Sequence, residues 1–327
     1  MSIYDEVTPA WLKSTFLVGV DLTTDDGEPY PDELFVQCIE SAIKFVEGQL
    51  QLKLDASWIE DEKHEFYRPQ DSPSWDLLFL NERPLRQIET LAIYQGNAKL
   101  ADIPEAWWVV EDALTAQVSL VPQGEGLTVT LNALITPGGP YLVTRGAGYQ
   151  PGFWRLTYQA GYVTQSGTLP IDANGTYTLD LDPEALSSDY RVGAAVYNLA
   201  GELVSGATAK AVDGSRRKGS FQVRVAGLPA GSYTLVWSMS EIPRDILQVI
   251  GWLASMLPLD TAGDLIAGAG IANFSVSLDG YSESVGTTAS ATNAGYGARI
   301  LSYQKQLKEA WPRLLARFGP GIRIGGT

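Results

Sequence analysis

Apolar residues at Ile300, Tyr303, Leu307, Trp311, Leu314 and Phe318 recur at spacings of three and four, which places them on one stripe of a helix. The opposite face carries Lys305, Lys308, Arg313 and Arg317 against a lone Glu309. A helix from Gly295 to Phe318 would be roughly 36 Å long at ~1.5 Å per residue, longer than an average globular helix and suited to an assembly surface. The stripe has two possible uses, closing the chain's own core or docking on another polypeptide. Pro312 removes one backbone donor and is expected to bend the helix near Trp311.

A second helical stripe lies near the other end of the chain. Tyr30-Pro31-Asp32-Glu33 is a helix opening, with proline in the first turn and acids at the positive end of the dipole. Leu34, Phe35, Cys38, Ile39, Ala42, Ile43, Val46 and Leu50 then predict a helix over 31–51. From about Lys63 the pattern changes to short apolar runs between Pro and Gly: 75–80, 88–94, 107–110, 117–121, 127–131 and 153–158. These predict strands of a small antiparallel sheet. A turn-rich seam follows at 163–170. Alternating runs at 175–181, 192–198, 219–225 and 231–237 then predict a small β-sandwich of the Ig-like kind. Helical pattern resumes at Ile242, with Ile246, Val249, Ile250, Leu253 and Leu257 on one face and Pro258 as its stop. The expected fold is therefore α+β: a helical-bundle framework with a small antiparallel sheet, formed by 1–165 and 241–327, and an all-β sandwich inserted at 166–240.

With 327 residues and a 45% apolar composition the chain is large enough for two domains. Cys38 is the only cysteine, so no disulfide forms within the chain, and a reducing interior is expected. The N-terminus lacks the basic start and apolar run of a secretion signal. No apolar stretch approaches the ~20 residues that span a bilayer, and the expectation is a soluble, cytosolic protein. The net charge of -15 is unevenly spread. Residues 1–70 hold fifteen acids and five bases, whereas from Gly295 onward there are six bases and one acid. The two ends can attract each other within or between subunits. The acidic total disfavours tight DNA binding, which depends on Lys and Arg at phosphates.

The candidates for chemistry are few. His64 is the sole histidine and lies in Lys63-His-Glu-Phe-Tyr-Arg68, which reads as an edge strand with alternating polar groups; a structural role is expected. Cys38 falls on the buried stripe of the first helix. Ser41-Ala-Ile-Lys44 lacks the companion motifs of serine-lysine acyl enzymes. Asp21, Asp25, Asp26 and Glu28 lack the spacing of a calcium loop. Gly268-Ala-Gly270 follows a helix rather than a strand, so it is no dinucleotide fingerprint. Asn174-Gly-Thr176 permits glycosylation but has no meaning in a cytosolic chain. Arg216-Arg-Lys218 reads as the exposed tip of a hairpin. No catalytic, metal or cofactor site is expected, and the chain is not read as an enzyme.

The order of segments carries a resemblance. Thr157-Tyr-Gln-Ala-Gly-Tyr162, Ile242-Pro-Arg-Asp-Ile-Leu-Gln-Val-Ile-Gly-Trp-Leu-Ala254, Gly263-Asp-Leu-Ile-Ala-Gly-Ala-Gly-Ile-Ala272, Ser275-Val-Ser-Leu-Asp-Gly-Tyr-Ser-Glu-Ser284 and Asn293-Ala-Gly-Tyr-Gly-Ala-Arg299 with the helix after it together resemble the head-tail connector proteins of tailed bacteriophages, also called adaptor or head-completion proteins. Arg83-Pro-Leu-Arg-Gln-Ile-Glu-Thr-Leu91, Trp107-Trp-Val-Val110 and Tyr149-Gln-Pro-Gly-Phe-Trp-Arg-Leu-Thr-Tyr158 fit the same pattern. The resemblance covers most of 31–164 and 241–318, and the β-rich insert departs from it. It implies a virion protein of the capsid-tail neck, assembled in the host cytoplasm. Copies would form a ring, expected as a dodecamer, with a portal protein above and a tail terminator or neck protein below. DNA would pass through the channel without specific binding, and no membrane or cofactor is involved. On this reading Arg313, Arg317, Phe318, Ile322, Arg323 and Ile324 face the portal, while Arg299, Tyr303, Lys305 and Lys308 face the neighbouring subunit. The alternative is a carbohydrate-binding or adhesion module, prompted by the insert and the nine Trp.

Overall fold

The computed structural model describes residues 2–24, 26–67, 78–120, 149–267, 274–278, 281–285 and 291–319. The expected strand at 127–131, the glycines 268–270 and the tail residues Ile322, Arg323 and Ile324 lie outside the described residues. The chain mixes helices with antiparallel sheet and divides into two compact units, one formed by Gln51–Ile242 with Ser2, the other by Ile3–Leu50 with Pro243–Gly319.

The second of these units is mainly helical. Its helices are α1 (Ile3–Glu6), α2 (Pro9–Thr15), α3 (Asp32–Leu50), α4 (Arg244–Ala267) and α5 (Ala291–Phe318). Thr8 caps α2, its hydroxyl accepting from the Trp11 amide at 3.2 Å, with Pro9 pre-set for the first turn. In α3 the residues Phe35, Cys38, Ile39, Ala42, Ile43, Val46 and Leu50 are buried, which is the stripe expected from the 3.6-residue period. α4 packs against both α3 and α5.

Two expectations for α4 fail. The helix runs through Pro258 to Ala267 instead of stopping there. A proline inside a helix costs about 3 kcal/mol. Beyond it Leu259 and Ala262 are buried, and burying a leucine contributes about 1.5–3 kcal/mol, enough to offset that cost. The second failure concerns apolar length, since Arg244–Gly263 is long and apolar enough to span a bilayer. That window is 61% buried within the protein, as in a core helix. Leu257, expected on its buried face, is exposed. The helical unit also holds a hairpin of β14 (Phe274–Leu278) and β15 (Tyr281–Val285), paired in antiparallel register.

In the other unit a four-stranded antiparallel sheet has the order β1-β7-β3-β4, built from β1 (Ser57–Tyr67), β3 (Leu85–Gln95), β4 (Ala98–Asp102) and β7 (Tyr149–Ala160). β1 is an edge, as the sequence around His64 suggested. In β7 the alternate residues Trp154, Leu156, Tyr158 and Ala160 all point into the core. A small sheet of β2 (Leu78–Phe79), β6 (Gln117–Leu120) and β5 (Trp108–Asp112) adds Val118 and Leu120 to the same core. Trp107, expected to begin a strand, instead ends a short 3-10 turn, Glu105–Trp107, ahead of β5.

The region after Gly161 forms two three-stranded sheets. One has the order β10-β13-β8 and the other β11-β12-β9, from β8 (Thr164–Ile171), β9 (Gly175–Asp180), β10 (Arg191–Asn198), β11 (Thr208–Ala211), β12 (Ser220–Ala226) and β13 (Tyr233–Ser240). Val196, Leu235 and Met239 of the first sheet meet Leu179, Phe221, Val223 and Val225 of the second in one core. The turn-rich seam at 163–170 is in fact strand β8. Gly167 pairs with Trp237, and a Cβ there would come within 2.8 Å of the indole, so the glycine that reads as a turn is required by a tryptophan lying across it. Pro170 is tolerated because β8 is an edge strand. Arg216 is half-buried rather than exposed at a tip: its guanidinium donates to the Tyr190 carbonyl and lies 5.7 Å from the Tyr190 ring.

Candidate functional site

The site residues expected from sequence fall mainly on α5, and the structure divides them into an inner and an outer set. Tyr303 is half-buried and its hydroxyl donates to the Phe16 carbonyl at 2.7 Å. Burial pushes that hydroxyl's pKa up, with nearby Arg299 opposing. Arg299 donates to the Val18 carbonyl at 3.0 Å, and the Tyr296 hydroxyl accepts from the Asp21 amide at 3.0 Å. These three side chains tie α5 to the end of α2 and the loop after it, bonding backbone groups of Phe16, Val18 and Asp21. Phe16 fits edge-on against Tyr303 and Trp11 and presses on Gly251, where a Cβ would lie 2.2 Å from its ring. Further along, Trp311 meets Phe45 at 5.8 Å, and Leu314 and Phe318 are buried. The apolar stripe of α5 therefore closes its own helical unit.

The outer set is different. Lys305, Lys308, Arg313 and Arg317 are all exposed, as is Glu309. Arg313 donates through Nε to the Glu309 carbonyl at 3.3 Å, and the Arg317 guanidinium lies 4.9 Å from the Phe318 ring. Leu301 stands among these cations at 67% exposure, with Leu315 on the same side of the helix. α5 thus shows water a mainly cationic surface, four bases against the single acid Glu309, with two leucines in it.

Sequence reasoning missed a groove between α3 and α4. It has a volume of about 340 Å³ and is lined by Leu34, Cys38, Ser41 and Phe45 of α3 and by Leu253 and Leu257 of α4. Phe45 and Leu257 are 50% and 55% exposed. The signal was in the sequence, because Leu34, Cys38, Ser41 and Phe45 follow helical spacing along an edge of the stripe. Cys38 forms part of the lining, and its burial raises the thiol pKa, the opposite of an activated nucleophile.

His64 belongs to a polar cluster in the sheet unit. Its Nε2 lies 2.6 Å from Glu62 Oε1, which also accepts from the Asn81 amide at 3.0 Å. The Tyr158 hydroxyl donates to Glu62 Oε2 at 2.6 Å and accepts from the Glu82 amide at 3.1 Å. Burial by itself would raise the Glu62 pKa, but the bonds from His64, Tyr158 and the Asn81 amide outweigh it and leave it lowered. Burial and the neighbouring carboxylate hold the Tyr158 pKa far above its usual value. Both Glu62 oxygens are occupied, and the cluster pins the 80–82 loop to β1 and β7. Among the described residues no three or more His, Cys, Asp or Glu side chains gather as metal ligands.

No protein-family model matches the chain, and neither does any curated protein. Among solved structures the chain is similar to one described as "Neck of empty GTA particle computed with C6 symmetry". The identity is 13%, the match covers 47% of this chain and 64% of that chain, and the TM-score is 0.28. The chain therefore matches less than two thirds of that neighbour's length.

Proposed function

We propose that the protein is a structural subunit of a phage-type neck, whose copies form an adaptor ring between portal and tail and which makes and breaks no bonds. The observation that carries this reading is the outer face of α5, with four exposed cations against one exposed acid on a helix whose apolar stripe is already used inside the unit. A surface of this kind suits an acidic protein partner. The order of segments that resembles connector proteins supports the same reading. In it Lys305 and Lys308 meet the neighbouring subunit, Arg313 and Arg317 meet the portal, and the tail with Ile322, Arg323 and Ile324 adds a strand to an edge of the portal. The helices supply the bundle framework, and the two-sheet region is an Ig-like insertion that decorates the ring.

DNA passage gives the acidic excess a role, because carboxylates lining a channel repel phosphate. Glu60 and Asp61 on β1 are exposed and suit that position. The adhesion alternative has less support, since glycan sites need exposed aromatic platforms. In the two-sheet region Tyr190 and Phe221 are buried, and Tyr177, Tyr197, Tyr233 and Trp237 are half-buried.

Electron microscopy of the purified protein with its portal tests the proposal. Rings or density capping the portal are expected, and deletion of 319–327 should leave a folded protein that no longer attaches. Monomers that bind glycan and ignore portal would overturn it.

A further inference from the structure

The α3–α4 groove keeps Phe45 and Leu257 half in water, an arrangement that marks a contact surface when it is rimmed by charge. We infer that it receives the outer face of α5 from a second copy of the chain. The charges of the three helices are complementary. α3 holds four acids and one base, α4 three acids and one base, and α5 five bases and one acid. Asp260, one turn beyond Leu257, is exposed on the groove's side of α4, and Glu33 is exposed in the first turn of α3, with Lys44 the opposing charge on α3. On α5, Leu301, Lys305 and Lys308 share one stripe, so a leucine can enter the groove while two ammonium groups approach Asp260 and the acidic surface of α3.

The two surfaces consist of different residues. Each copy therefore donates one and accepts one, a heterologous contact that closes into a ring when the rotation per subunit divides a full turn. The inference rests on the ring reading above for its biological setting, but it is tested without a portal.

The test uses the full chain, light scattering at low and high salt, and two substitutions at exposed positions, L257E in the groove and L301E on α5. Circular dichroism and thermal melts check that both variants remain folded. The wild type is expected to assemble at low salt and dissociate as salt rises, and each variant is expected to be monomeric. An equimolar mixture of the two variants should stop at dimers, because one intact groove and one intact α5 face remain between them. In a C38A background, S41C and L301C together should form a disulfide between chains on oxidation. A wild type that stays monomeric even at high protein concentration overturns the inference, as does a mixture that fails to dimerise. Rings that persist in L257E would overturn the groove assignment and leave the ring reading intact. A groove variant that assembles normally but loses portal would mean that another protein occupies the groove, and overturns it equally. Wild-type rings that depend on Leu257 and Leu301 yet never touch portal would instead refute the neck reading alone.

Discussion

The Arg86 guanidinium lies 2.7 Å from the Glu241 carboxylate, with each side chain only 4% exposed. Glu241 Oε2 also accepts from the Val163 amide at 2.8 Å and Oε1 from the Leu186 amide at 2.6 Å, while Arg86 donates again to the Glu184 carbonyl at 2.6 Å. The pair sits where β13 ends and binds β3, the start of β8 and the 184–186 loop together. This buried, multiply hydrogen-bonded ion pair helps hold the two-sheet region to the four-stranded sheet.

Losing one member of such a pair leaves the other charged and buried. Arg86→Met or Glu241→Met should each cost about 3–5 kcal/mol, and the double variant R86M/E241M less than the two single losses combined. Chemical denaturation of the three proteins measures this directly, and strictly additive losses would count against the coupling.

The Glu62 cluster predicts acid sensitivity. Its folded pKa lies below the unfolded value, so its stabilising contribution is complete above the ordinary carboxylate range near 4.3 and is lost as the pH falls through the lowered folded value. Glu62→Gln should cost about 1–3 kcal/mol at neutral pH and should flatten the loss of stability in acid. Urea melts across the acid range provide the comparison; parallel pH profiles for variant and wild type would contradict it.

Gly251 faces the Phe16 ring with no space for a methyl group. Gly251→Ala should destabilise the helical unit by about 1–3 kcal/mol despite alanine's better helix propensity, with Phe16→Leu recovering part of the loss. A thermal melt of G251A that matched or exceeded wild type would show that the contact yields easily.

Charge reversal at Lys305, Lys308, Arg313 and Arg317 should leave stability nearly unchanged, since exposed substitutions stay within about 0.5 kcal/mol each. The same change should abolish assembly or portal attachment. Normal particles built from the reversed protein would remove the functional meaning given to this face.

Reversing Glu60 and Asp61, both exposed, tests the channel. Genome release should slow where phosphate meets lysine in place of carboxylate. Unchanged ejection kinetics would take these acids off the channel wall.

Periodicity alone determined α3 and the buried face of α5. The helix expected over 31–51 became α3 within a residue at either end, and the stripe from Ile300 to Phe318 became the inward face of α5, because a 3.6-residue repeat of apolar groups is stable only where one face is covered. The alternating runs at 153–158, 192–198 and 219–225 were likewise legible as strands. Tertiary contacts decided what local signals misread. Pro258 did not end α4 because buried residues lie beyond it, and Gly167 is a strand residue because Trp237 covers it. Arg86 and Glu241 are 155 residues apart, and nothing local marks either as half of a buried pair. The groove beside Phe45 is equally a product of two distant helices. Spacing along a chain shows which side of an element seeks cover, whereas the partner that provides it, and the surface left uncovered, follow only from three-dimensional packing.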